Sequence, residues 1–341
     1  MNKNLELIPS IALAWQKSGR RVAIATVIET WGSAPRPVGA QLAISSDGQV
    51  MGSVSGGCVE GSVIESALTS INSGVCEIVE FGVTNETAFS VGLSCGGRIR
   101  IMIEPIQIGN GLNFELLSCI DSHLTFNKPC MLITDIISFD RVLIGANKSI
   151  TKQGSGNIQL DLDVLLAKST SKLLPGHFVN FYSTPLKLII VGGVHIAQFL
   201  TQLARLVGFK PIIIDPREAF ASSIRFPEDK LINDWPDVAI ENCGLDESSA
   251  VVLLTHDPKL DDPALIKALD SNAFYIGCLG SKKTHAKRVE RLIDKGISAD
   301  DIKNIHAPIG LDIGASTPAE IALAIIAEIT FKFRKIKNGQ R

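Results

Sequence analysis

Apolar and polar positions follow two different rhythms along this chain, and the change falls near residue 185. In the first part, short runs rich in Val, Ile and Ala read as strands at residues 21–29, 40–45, 75–81 and 98–104, because β-branched residues suit a half-buried pleated surface. An amphipathic helix is expected within residues 1–20, where Ile8, Ile11, Leu13 and Trp15 stand among polar neighbours and Gly19 supplies a stop. A second helical pattern begins at Val59 and continues through residues 62–70. Strands and helices mixed in this order predict a compact α+β domain. Residues 111–183 alternate apolar runs at 129–137 and 142–146 with Gly/Ser/Asn turns such as 154–157, and are assigned to the same domain.

Beyond Pro185 the period lengthens. Residues 186–191 form a β-branched run, and residues 196–207 then place Ile196, Phe199, Leu200, Leu203 and Val207 on one helical face before Gly208. A second apolar run, 210–214, ends at Asp215. Strand, helix and strand in this space make a βαβ unit, whose crossover produces parallel pairing. Further runs at 250–255 and 273–278 each end in polar, Gly-rich or acidic residues, as expected where a ligand crevice lies at the carboxyl ends of parallel strands. The predicted class is α/β. An N-terminal α+β domain, residues 1–183, precedes a C-terminal Rossmann-like doubly wound parallel sheet, residues 184–332, and a basic tail, 333–341.

Composition narrows the partners. With 45% hydrophobic and 20% charged residues, the 341-residue chain has material for two buried cores. A formal net charge of −2 gives no global attraction to nucleic acid or anionic lipid. The N-terminus lacks the pattern of a secretory signal, and no apolar run has the length of a membrane span, so no stable membrane insertion is expected and a cytoplasmic protein is. Seven scattered cysteines without a C-x-x-C pair fit neither a disulfide framework nor a structural zinc site.

Three polar clusters are expected along one rim of the C-terminal sheet. The turn holding Gly192, Gly193 and His195 sits where a dinucleotide fingerprint places its glycines, with Asp215 positioned to meet a ribose hydroxyl. Val194 stands where the second glycine of that fingerprint would be, and simple fold-building or a helix-capping histidine explains the same residues. Gly280, Ser281 and Lys282, at a strand-to-helix junction, make either an anion seat or an ordinary N-cap with solvated lysines. Thr255, His256 and Asp257 form the third cluster.

In the N-terminal domain, Ser55, Gly56, Gly57 and Cys58 precede a helix start, where a thiol pKa should be depressed. Cys95, Gly96 and Gly97 repeat the Cys/Gly theme. The bland alternative is a pair of small core cysteines. Arg36, between two prolines, suits presentation to an anion as well as it suits a solvent-facing turn.

Taken in order, GSAPRPVGA at 32–40, GSVSGGCVEG at 52–61, LSCGGRIRIMIEP at 93–105, DPR at 215–217, RFP at 225–227, THDPKLD at 255–261, GCLGSKKT at 277–284 and PIGLDIGASTPAEIALAIIAEI at 308–329 resemble the XdhC/CoxI family over nearly the whole chain. These are accessory factors of xanthine dehydrogenase and related molybdenum hydroxylases. The resemblance implies binding of molybdenum cofactor (molybdopterin), assistance with its sulfuration, and insertion into an apo molybdenum hydroxylase, with a cysteine desulfurase as second partner. It makes Cys58 and Cys95 candidate molybdenum-proximal thiols, expected close together, and adds Arg217 to the candidate cofactor-binding residues. The competing reading is an NAD(P)-dependent oxidoreductase using the Rossmann-like domain, although fold alone confers no chemistry. A protein-binding scaffold and a homodimer both stay open.

Overall fold

A computed structural model describes residues 7–32, 34, 36–57, 59–82, 97–156 and 170–337. The chain forms two compact units, Met1–Thr184 and Pro185–Arg341.

The first unit contains two antiparallel sheets. Helix α1 (Ile8–Lys17) leads into β1 (Val22–Trp31), which pairs with β2 (Gln41–Ser45) on one side and β5 (Arg98–Pro105) on the other. With β3 (Val50–Gly52) and β4 (Glu77–Phe81) the order is β3-β2-β1-β5-β4. Alternation along β1 sends Ala23, Ala25 and Val27 toward helix α2 (Glu60–Ser73), where Val63, Ala67 and Ile71 cover them. Val22 and Ile24 point the other way, into a core shared with α1 and helix α3 (Phe114–Thr125).

The second sheet runs β8-β7-β6-β10-β9, from β6 (Cys130–Asp135), β7 (Arg141–Gly145), β8 (Ile150–Gln153), β9 (Lys172–Leu174) and β10 (His177–Tyr182). The fully buried Arg141 links the sheets. Its guanidinium pairs with Glu104 of β5 at 2.7 Å and donates to the carbonyls of Phe139, Asn110 and Gly111.

The second unit is a six-stranded parallel sheet, β13-β12-β11-β14-β15-β16. Its strands are β11 (Leu186–Val191), β12 (Phe209–Ile214), β13 (Lys230–Ile232), β14 (Ser249–Leu253), β15 (Tyr275–Cys278) and β16 (Ile305–His306). Numbered from one, this is 3-2-1-4-5-6, the doubly wound order that reverses between its first and fourth strands. One face is covered by α4 (His195–Leu206) and α9 (Pro318–Lys337), the other by α5 (Pro236–Cys243), α6 (Pro258–Leu269) and α7 (Lys282–Asp294); a short α8 (Ala299–Ile302) precedes β16. Ala197, Leu200 and Ala204 form the buried stripe of α4, and a side chain such as Leu200 contributes about 1.5–3 kcal/mol when sealed from water. Glu328 anchors α9 by accepting the Tyr275 hydroxyl at 2.6 Å and the Gly310 N–H at 2.7 Å, while facing His306 Nδ1 at 2.8 Å.

Candidate functional site

The turn after β11 is shaped by glycine and tied down by an aspartate. Gly192 adopts φ +107°, a left-handed region in which a side chain would be strained, and a Cβ there would lie 2.8 Å from Thr255 Cγ2. A Cβ on Gly193 would stand 2.5 Å from the Phe220 carbonyl oxygen, so the loop after β12 fills the space above it. Asp215, at the end of β12, is fully buried. Its Oδ2 accepts from Gly193 N–H at 2.9 Å and Arg217 Nη2 at 2.7 Å; its Oδ1 accepts from Arg217 N–H at 3.0 Å and Nε at 2.8 Å. Burial works against the charge, but the Arg217 bonds and the Gly193 N–H prevail and hold its pKa below the ordinary range.

The expectation of a carboxylate open to a ribose hydroxyl is therefore corrected. Two oxygens offer about four acceptor sites, and all four are taken within the protein. Arg217 is spent on the same pair and lies over the Phe220 ring at 4.0 Å. His195 is the first residue of α4, exposed, with its ring 5.2 Å from that of Phe199. Val194 is the N-cap position and makes no side-chain cap bond.

At the next two strand ends, Asp257 and Ser281 cap helices, and His256 alone of the expected polar residues borders a cavity. Asp257 caps α6 by accepting from Lys259 N–H at 2.9 Å, and the Thr255 hydroxyl donates to buried Asp261 at 2.6 Å. His256 is exposed at φ +61°. Gly280 turns the chain after β15 at φ +134°, and Ser281 caps α7 by accepting from Thr284 N–H at 3.2 Å. Lys282 is exposed on the first turn. A cavity of about 270 Å³ brings His256 and Asp261 together with Lys283, Thr284, Lys287 and Arg288.

In the first unit, the loop before α2 is organised around Glu60. The carboxylate accepts from the Ser53 hydroxyl at 2.8 Å, the Ser55 N–H at 2.9 Å, the Gly57 N–H at 2.8 Å and the Ser55 hydroxyl. Burial raises the Glu60 pKa, but these bonds, led by Ser55, outweigh it and hold the group at about 2. Gly56 N–H is also taken, by the Ser53 hydroxyl. The donors of Ser55, Gly56 and Gly57 are thus engaged within the chain, those of Ser55 and Gly57 by the Glu60 carboxylate and the Gly56 N–H by the Ser53 hydroxyl. Arg36 is drawn to the same loop, its Nε donating to the Ser53 carbonyl at 3.2 Å, so it is not solely an outward-facing cation. Cys58, Cys95 and Gly96 lie outside the described residues, while Gly97 is buried just before β5. Among the described residues, no group of three or more His, Cys, Asp and Glu side chains could hold a metal ion, and no helix is long and apolar enough to cross a membrane.

Comparison with known proteins finds matches in both units of the chain. Residues 15–82 match the model of the XdhC and CoxI family, and residues 188–329 match that of the XdhC Rossmann domain. This chain belongs to the XdhC/CoxI family. It is 28% identical over 92% of its length to the molybdenum cofactor insertion chaperone PaoD of Escherichia coli, covering 83% of that protein. It is 27% identical over 90% of its length to a probable xanthine dehydrogenase subunit of Bacillus subtilis, covering 91% of that protein. A crystal structure described as a xanthine dehydrogenase from Bacillus halodurans matches with a TM-score of 0.81 at 25% identity, over 98% of this chain and 96% of that one.

Two groups that shape the sites of this XdhC-family chain escaped sequence reasoning. Glu60 opens α2 and accepts the Gly57 N–H, and an acidic residue in the first turn of an expected helix was its available signal. Arg288 carried no signal of its own, because a buried arginine looks in sequence like any solvated one on a charged helix. The row Lys283, Lys287 and Arg291, each four residues from the last, is the pattern that points to that face of α7.

Proposed function

We propose that this chain is a maturation factor that carries molybdenum cofactor as cargo and passes it to an apo molybdenum hydroxylase. The observation that carries this reading is the match over 92% of the chain to a relative named as a molybdenum cofactor insertion chaperone. The built loop of residues 53–57 supports it. Glu60 fixes the backbone of residues 53–57 through hydroxyls and amides, which suits a loop that leads in sequence to Cys58, the proposed soft thiolate ligand. In this reading Cys58 and Cys95 approach the cargo in the N-terminal domain, and a cysteine desulfurase is the source of the terminal sulfur. The C-terminal domain takes a phosphate-bearing portion of a ligand at the junctions of Gly192 and Gly280. The rival NAD(P)-dependent oxidoreductase has less support, since Asp215 has no acceptor site to spare and Val194 stands at the close-approach position.

The test is mass spectrometry of small molecules retained by protein purified from cells that make molybdenum cofactor. The wild type should retain pterin and molybdenum, and Cys58→Ser should retain several-fold less at unchanged melting temperature. Absence of pterin from the wild type, or sustained NADH formation from xanthine and NAD by the purified chain, would reverse the ranking.

A further inference from the structure

The cavity beside α6 and α7 contains a buried cation whose donors exceed its acceptors. Arg288 is 2% exposed. Its Nη2 donates to the Leu279 carbonyl at 3.1 Å, but its Nε and Nη1 are buried with no acceptor among the described residues. An unpaired guanidinium donor away from water is costly, so a partner from outside the chain is the natural remedy. The nearest acid, Asp261, stands 3.9 Å from Nη2. One of its oxygens is already bonded to Thr255, and at 3.9 Å it lies beyond hydrogen-bond reach of the guanidinium; burial raises its carboxyl pKa.

The helix that carries Arg288 is also charged against its own interest. The amino end of a helix favours negative charge, yet the first turn of α7 holds Lys282 and Lys283 and no acid. Lys283, Lys287 and Arg291 then follow at four-residue intervals, where like charges repel. Arg291 is compensated by a bidentate pair with Asp262, at 2.7 and 2.9 Å. Lys283 and Lys287 are exposed, line the cavity and form no ion pair among the described residues.

We infer that this cavity is a seat for a phosphate group, with Arg288 as the buried donor and Lys283 and Lys287 as the outer cations. Phosphate matches the donor set because it combines up to two negative charges with several acceptor oxygens, the chemistry for which a guanidinium fork and flexible lysines are suited. The cavity lies at the ends of β14 and β15, beside the Gly280 turn whose phosphate reading it deepens, and one strand away from the β11–β14 junction that carries Gly192. It rests on the phosphate reading of the Gly280 junction but not on the carrier reading: a Cys58→Ser variant that loses cofactor retention should still bind phosphate as the wild type does.

The experiment is calorimetric titration of the full-length protein, in phosphate-free buffer at fixed chloride, with inorganic phosphate, adenosine monophosphate and a pterin phosphate. Saturable binding is expected for the wild type, weakened at least tenfold in Lys283→Ala/Lys287→Ala, whose exposed side chains are removable without opening the core, and abolished in Arg288→Met. Tighter binding of one ester than of inorganic phosphate identifies a monoester ligand; equal binding identifies a free-phosphate seat. No saturable binding of any of the three by the wild type, or equal affinities in the wild type and the double-lysine variant, would overturn the inference.

Discussion

The buried carboxylate of Asp215 accepts the Gly193 N–H at 2.9 Å, joining the end of β12 to the turn that follows β11. Neighbouring parallel strands are thus clamped at the crevice by a bond the chain makes with itself, and Arg217 neutralises the clamp. The groups that a dinucleotide would use serve to build the turn.

Asp215→Asn should therefore act on stability rather than on ligand affinity. An amide supplies one oxygen where two now accept, and leaves a donor facing donors. The expected loss is about 1–3 kcal/mol, at the modest end because Arg217 is partly exposed and can turn to water. Urea unfolding followed by a probe in the C-terminal unit measures it. A variant with wild-type stability and weakened nucleotide binding would return Asp215 to the ribose role.

Glu60 should make the first unit sensitive to acid. Its pKa is held at about 2 in the folded protein against an ordinary 4.5, so the carboxylate's contribution is complete above pH 4.5 and is lost as pH falls toward 2. Glu60→Gln should flatten that acid limb and lower the melting temperature at pH 7, because its amide group faces the Ser55 hydroxyl or Gly57 N–H as a donor. Melting curves from pH 7 to pH 3 read both effects. Parallel pH profiles for the two proteins would show that the loop amides do not depend on this charge.

The alternation of apolar runs was enough to read the parallel sheet, because strands buried on both faces are near-continuous in Val, Ile and Leu and α4 shows one clear apolar stripe. The expected edges of β11, β12, β14 and β15 differ from the observed ones by at most two residues. Helix α6 was not legible for a specific reason. Two of its buried positions are Asp261 and Asp262, which face Arg288 and Arg291 across the helix pair, and Pro263 interrupts its pattern. The antiparallel sheet of residues 130–182 was only partly visible, since exposed Ile150 and half-buried Lys172 mark edge strands with little apolar contrast. At the candidate site, glycines and capping residues announced the turns, whereas the partners of Asp215, Glu60 and Arg288 come from other segments and depend on tertiary placement.

Arg141 and Glu104 form a buried pair that should be strongly coupled. Arg141→Met leaves an uncompensated carboxylate between the two sheets and strands the carbonyls of Phe139 and Asn110, at an expected cost of about 3–5 kcal/mol. Adding Glu104→Gln should recover part of that loss, because the unpaired charge is then gone. A double-mutant cycle in urea gives the coupling directly. Additive losses would mean that the two side chains act separately.

Thiol chemistry should sort the seven cysteines by burial. Burial pushes Cys76, Cys130 and Cys278 to about 12, so at pH 8 only about one molecule in ten thousand carries each thiolate, the form that reacts. Cys243 is raised as well, again by burial. Cys58 and Cys95, each beside a glycine pair, should be the first alkylated when native protein meets a limiting thiol reagent at pH 8, and Cys58 should lead because it precedes the amino end of α2. Peptide mapping by mass spectrometry after short exposures reads the order, and bound molybdenum cofactor should slow both sites. Early modification at half-buried Cys119 or Cys243, with Cys58 and Cys95 left intact, would make the latter two inert core residues and remove the thiols from the proposed cargo site.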